Sequence, residues 1–229
     1  MAFRRKTVPT PVADSGPSPL AADLAAIGMK LSVAPAKNEP NIEDTLIRAA
    51  EEALDRDFRL LAPLLLWFRI HHHWINADRL TRLVRDHASD RARALWAGLG
   101  RWMKVDRRFA RLIPLHRGPR VVVAGEGPED PRFRRGPIRI PASATRERAA
   151  DVLSPALLAR RHGAYRWRLV IGPSYRADMW AALEADPTLS TSELARRAYG
   201  SFGTAWLVKR DRDILDTAHV RVKTKRHAG

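Results

Sequence analysis

Cysteine is absent from all 229 residues of the chain. That excludes disulfides, thiolate metal sites and cysteine nucleophiles, and it fits a cytoplasmic protein. Long apolar runs are missing as well. The longest, Leu60 to Phe68, contains Pro63 and falls far short of the ~20 residues that a membrane-spanning helix needs, so a soluble protein is expected. The basic start, Met1 to Lys6, is not followed by the apolar core of a signal peptide. Acidic residues are in the minority: 41 Lys plus Arg face 25 Asp plus Glu, for a formal charge of +16. Such an excess favours a polyanionic partner through phosphate neutralisation and counterion release. The excess is uneven, with eleven cations against four acids over 101–140, fourteen against seven over 160–229, and near balance in the first hundred residues.

Catalytic signatures are also lacking. There is no Gly-x-Ser-x-Gly elbow and no Gly-x-x-x-x-Gly-Lys phosphate loop. Gly125-Glu126-Gly127 follows an apolar run, but neither a third glycine nor a helix comes after it, so no dinucleotide cofactor is implied. The run His71-His72-His73 is not expected to hold a metal, because consecutive helical residues point about 100° apart. The charges Glu51, Glu52, Asp55 and Asp57 read as helix surface. The chain is therefore expected not to be an enzyme and to need no cofactor.

What is present is mostly helical pattern. Residues 1–40, rich in proline, alanine and serine, read as a mobile arm with a short helix at Leu20 to Met29. Asn41 caps a helix over Ile42 to Arg56, with Glu43 and Asp44 in its first turn. Phe58 to Trp74 continues as an apolar helix bent at Pro63, a further helix runs from Asn76 or Asp78 to His87, and Ser89 caps one to Lys104. With a short helix over Asp106 to Ile113, residues 41–118 form a helical bundle. Residues 119–172 connect it to the C-terminus: Arg120 to Ala124 and Pro137 to Pro141 pair as a short β-hairpin, and Thr145 to Arg161 returns to helix with a restart at Ser154-Pro155. Arg132, Arg134 and Arg135 in this region offer a phosphate contact. Most of the seven tryptophans are expected in the core.

Residues 173–229 carry the most specific pattern. Ser174 caps a helix through Leu183, and Asp186-Pro187 ends it. Ser190 and Glu193 make a capping box for a second helix whose face is Leu194, Ala195 and Ala198. Gly200 closes that helix at a position expected to need positive φ, and a third helix runs from Gly203-Thr204 through Leu215. Ala205, Val208 and Leu215 are expected to face inward; Trp206, on the outward side with Gly203 and Arg210, is a candidate DNA-binding residue that packs on a base methyl or sugar, or else turns inward as an anchor. Ser201, Gly203, Thr204, Lys209 and Arg210 are left to meet DNA, Arg210 on guanine and Lys209 on phosphate, with Arg196 and Arg197 beside them. In the tail, His219 to Arg226 alternates apolar and charged residues as a wing strand would, which places Arg221, Lys223 and Lys225 on the same surface.

Ser192-Glu193-Leu194-Ala195-Arg196-Arg197 and Tyr199-Gly200-Ser201-Phe202-Gly203-Thr204-Ala205-Trp206 resemble the second and third helices of bacterial winged helix-turn-helix regulators over the last quarter of the chain. The glycine follows Ala195 by five positions where that family has four, which implies a longer second helix. The resemblance implies a mainly α fold with a C-terminal winged helix-turn-helix, binding to double-stranded DNA, a regulatory role in transcription, and pairing as a homodimer. Chains of this kind also resemble antitoxins encoded beside nucleotidyltransferase-type toxins. A protein-interaction module, such as an antitoxin with a toxin partner or a subunit of a phage-defence complex, therefore stays open, as does an RNA-binding protein.

Overall fold

The computed structural model describes residues 20–226, and side chains only as far as residue 218. The fold is mainly helical and divides into two compact units, one ending at His162 and one beginning at Gly163. No helix among the described residues is long and apolar enough to cross a membrane.

In the first unit, α2 (Ile42–Asp55) starts where Asn41 accepts from the Asp44 amide at 3.1 Å. The helix buries Leu46, Ala49, Ala50, Ala53 and Leu54 on one stripe. The apolar run 58–74 is segmented rather than continuous: a 3-10 turn over Phe58–Leu60, then α3 (Leu61–His71), then a second 3-10 turn over His72–Trp74. Pro63 lies in the first turn of α3, where its missing amide hydrogen breaks no helical bond. Next come α4 (Ala77–His87), capped by Asn76, and α5 (Asp90–Trp102), capped by Ser89. A 3-10 segment over Arg107–Leu115 closes the set. Phe68 is central to the core, edge-on to Trp96 at 5.9 Å and to Phe109 at 5.0 Å.

The structure corrects further expectations in this unit. Residues 20–30 are packed against the core rather than mobile. In α1 (Leu20–Ala26) and just after it, Leu24, Ile27 and Met29 are buried. The Trp67 indole donates to the Ile27 carbonyl at 2.7 Å, and the Lys30 and Leu153 amides bond across to Asp151 and Gly28 at 2.8 Å. The proline-rich composition hid three apolar residues with a place to go; residues 1–19 lie outside the described part. Another correction concerns the central strands, β1 (Val121–Val122) and β2 (Ile138–Arg139), which pair in parallel and not as a hairpin. The connection does not simply reverse, because it swings out through Gly125 and Gly127, at φ +135° and +103°, and back through a turn capped by Asp130. Helix then resumes only at α6 (Pro155–Arg161), with Ser154 as its cap; residues 145–154 are short turns and extended chain.

Arg132 is spoken for in that connection. It forks onto Asp130 (Nε to Oδ1 3.0 Å, Nη2 to Oδ2 2.6 Å), bonds Glu147 and lies 5.2 Å over the Trp102 ring. It is a structural clamp, not a free phosphate ligand, while Arg134 and Arg135 are exposed.

The second unit starts at α7 (Gly163–Ile171), ahead of residue 173, and continues through α8 (Tyr175–Ala185), α9 (Thr191–Arg197) and α10 (Phe202–Arg226). A buried fork, Arg168 on Asp178 at 2.8 and 3.0 Å, ties α7 to α8, and Trp167 stacks on Trp180 at 5.3 Å. Met179, Leu183, Leu189, Leu194, Ala195, Ala198, Ala205 and Val208 form its core.

Candidate nucleic-acid interface

The turn between α9 and α10 decides what α10 presents. Ser190 and Glu193 form the full capping box, with the Glu193 amide donating to the Ser190 hydroxyl at 3.2 Å and the Ser190 amide to the Glu193 carboxylate at 2.9 Å. The Ser190 hydroxyl and amide hold the Glu193 carboxyl below its ordinary range. The helix ends after only seven residues. The additional residue in the spacing enters the turn instead of lengthening the helix. Tyr199 adopts φ +55°, its amide bonds the Arg196 carbonyl at 3.2 Å, and the Gly200 amide bonds the Ala195 carbonyl at 2.9 Å. These two bonds are a Schellman closure with a tyrosine, not a glycine, in the left-handed position.

Gly200 is needed for a different reason from the one its position suggested. Its backbone is not in the left-handed region. A Cβ built on it, however, would stand 2.3 Å from Met179 Cε and 3.4 Å from Tyr175 Cβ. The glycine lets the turn sit directly on α8, which sets where α10 begins.

From that start α10 buries Ala205 and Val208 and exposes its other side. The Ser201 hydroxyl accepts from the Thr204 amide at 3.1 Å and lies 2.8 Å from the Thr204 hydroxyl, so both are engaged in capping the helix while staying at the surface. Phe202, Trp206, Arg210 and Ile214 recur every four residues and form one exposed ridge. Of the two orientations open to it, Trp206 takes the outward one. It is 52% exposed, with the Arg210 guanidinium 5.6 Å from its ring centroid. Ala205 and Val208 lie on the side of α10 that is buried in the core, and the helical turn carries residue 206 away from that side. Leu215, expected inward, is 47% exposed.

The cations divide similarly. Lys209 does not point outward: its ammonium donates to the Leu189 carbonyl at 2.6 Å, bracing the loop before α9. Arg210 bonds Asp211 at 2.8 Å, and Asp211 also takes Arg176 at 2.7 Å. These two guanidiniums, Arg210 first, hold the Asp211 carboxyl below its ordinary range. Arg196 and Arg197 lie exposed on the last turn of α9, and Gly203 is exposed on the first turn of α10.

No protein-family model matches this chain, and no curated protein or solved structure is significantly similar to it.

The expected wing is absent from residues 219–226, where α10 simply continues to Arg226. The apolar-charged alternation in the tail is short, and among the described residues no strand pairs with it, so the helix already under way propagates. The side chains of Arg221, Lys223 and Lys225 lie outside the described part. Of the residues expected at the interface, Arg196, Arg197, Ser201, Gly203, Trp206 and Arg210 are exposed and Thr204 is half-buried, whereas Lys209 is turned to the Leu189 carbonyl; Phe202, not expected there, is exposed with them. The four-residue recurrence of Phe202, Trp206, Arg210 and Ile214 was the signal that would have found it.

Proposed function

We propose that the second unit binds double-stranded DNA through α9, the Tyr199-Gly200 turn and α10, as a helix-turn-helix in a regulator of transcription. The observation that supports this reading is the exposed first turn of α10: Ser201, Phe202 and Gly203 stand at the surface beside Arg196 and Arg197, while the opposite side of the same helix is locked into the core by Ala205 and Val208. A helix N-terminus presented in this way enters the major groove, where its first residues meet base edges and its dipole favours phosphate. Thr204 and Arg210 take the base-edge positions. Trp206 packs its ring on sugar or on a thymine methyl, and Arg196 and Arg197 neutralise flanking phosphates.

Mobility-shift titration of the full chain on duplex DNA over a salt series tests the reading. Arg196→Ala with Arg197→Ala is expected to weaken binding and reduce the salt slope by roughly 2, since each phosphate contact contributes about 0.9. Absence of binding at physiological salt, or an unchanged slope in the double variant, refutes it. Stronger competition by RNA than by duplex DNA replaces DNA with RNA as the ligand.

A protein partner is the second reading, supported by the apolar members of the exposed ridge: Phe202, Trp206 and Ile214 are 60%, 52% and 59% exposed. If that surface meets protein, Phe202→Ser leaves any DNA binding intact and abolishes the protein complex.

A further inference from the structure

The three consecutive histidines do not converge, yet two of them come together with a distant carboxylate. α3 ends at His71, whose ring turns into the core with Nε2 3.1 Å from the Leu153 carbonyl. Over His72–Trp74 the chain tightens into a 3-10 turn, which brings the His72 and His73 rings to 3.9 Å between centroids. Asp106, capping the 3-10 segment that follows α5, stands beside them. One ligand atom from each of His72, His73 and Asp106 lies within 4.8 Å of the others.

We propose that His72, His73 and Asp106 form a binding site for a divalent transition metal ion of the zinc class. Three features beyond proximity carry this. His72 Nδ1 is 3.0 Å from the Arg69 carbonyl. A carbonyl only accepts, so Nδ1 carries the proton and Nε2 keeps the lone pair that a metal requires, an arrangement typical of metal-ligating histidines. Arg108 braces all three ligand positions: its guanidinium donates to the His73 and His72 carbonyls at 3.2 Å each and to Asp106 Oδ2 at 2.6 Å. Asp106 Oδ1 also accepts from the Arg108 amide at 3.1 Å and from Nε at 3.0 Å, so three donor hydrogens occupy a carboxylate with about four lone-pair directions and one direction is left for a metal ion. Finally, the three side chains face an open surface cleft of about 520 Å³ also lined by Met103, Val105, Arg107 and Arg108, so water or a small ligand can reach the remaining coordination positions.

The ligand set selects the ion. Two neutral imidazoles with one carboxylate suit zinc and its neighbours, whereas calcium and magnesium require oxygen shells. The Arg108 charge offsets that of Asp106, so attraction comes from ligand bonds rather than from a negative field, which further disfavours hard cations.

Calorimetric titration of the full, chelator-stripped chain with Zn²⁺, and with Co²⁺ as an absorbing probe, tests the site. One ion per chain is expected, with no competition from millimolar-range Mg²⁺. Affinity should fall tenfold or more in His73→Ala, whose side chain is exposed, and in Asp106→Asn, and should be unchanged in His87→Ala, an exposed histidine elsewhere in the unit. The Co²⁺ absorption in the visible should vanish in His73→Ala. No saturable binding to the wild-type chain, or equal binding and an unchanged Co²⁺ spectrum in His73→Ala, overturns the proposal. If Asp106→Asn loosens its turn, His73→Ala alone decides.

Discussion

Replacing Gly200 with alanine isolates the contact that places the start of α10. In the native turn a Cβ at this position meets Met179 Cε at 2.3 Å, against the ~3.5–4.0 Å of an ordinary carbon contact. More than an ångström must be found. Backbone strain contributes nothing, because the φ of residue 200 is outside the left-handed region. Met179 is fully buried among Leu183, Leu194 and Val208, so its end cannot swing into solvent. Overpacking of this kind costs about 1–3 kcal/mol, and the flexibility of methionine sets the expected value near the middle, at about 2 kcal/mol. Gly203→Ala is the natural control. A Cβ there meets only Ser201 Oγ at 4.0 Å, so the substitution should stabilise α10 by up to about 1 kcal/mol through helix propensity. Native-state hydrogen exchange of the α9 and α10 amides reads the stability of this unit alone. A methionine-to-valine change at 179 removes the clashing methyl, so in Met179→Val with Gly200→Ala the cost of the glycine substitution should largely disappear. An equal cost of Gly200→Ala with and without Met179→Val would refute the steric account and return the explanation to backbone conformation.

The remaining expectations concern the first unit and the α10 surface. Glu43 and Arg79 are a fully buried pair at 3.3 Å, and Glu43 also accepts from the Asn76 amide at 2.9 Å; Arg79→Met should cost about 3–5 kcal/mol in urea unfolding by removing the countercharge of a buried carboxylate, and adding Glu43→Gln should restore part of that. Burial pushes the His71 imidazole from its ordinary 6.5 down to about 4, against the raising effect of the Leu153 carbonyl. Because the unfolded chain takes up the proton first, stability is full above pH 6.5 and declines as the pH falls toward 4, by about 3 kcal/mol. His71→Asn should flatten that pH dependence in a series of unfolding titrations. Trp206→Ala should leave thermal unfolding within about 0.5 kcal/mol of wild type, since the ring is half exposed, while reducing DNA affinity; a large loss of stability would place the indole in the core after all.

Local chemistry carried far in this chain. Asn41, Asn76, Ser89, Ser154, Ser174 and Ser190 all cap helices, because a side-chain oxygen two or three residues before an orphan amide needs nothing from the rest of the molecule. Less legible were features set by distant partners. Leu24, Ile27 and Met29 sit in proline-rich surroundings and pack only because residues 151–153 and Trp67 meet them. The strands at 121 and 138 look like a hairpin in isolation, and their parallel pairing depends on where the Asp130–Arg132 clamp carries the chain between them.

The sequence by itself determined the helical composition, most of the capped boundaries, and the placing of an exposed helix start at Ser201 to Thr204 a few residues after Arg196 and Arg197, since these follow from side-chain and backbone chemistry within a few residues. The tertiary structure alone decided that Gly200 serves a contact rather than a torsion, that Lys209 braces a loop while Trp206 faces outward, and that Asp106 comes beside His72 and His73. Each of these depends on groups brought together across long stretches of chain, whose meeting is fixed by the volume available in the folded core and not by any local pattern.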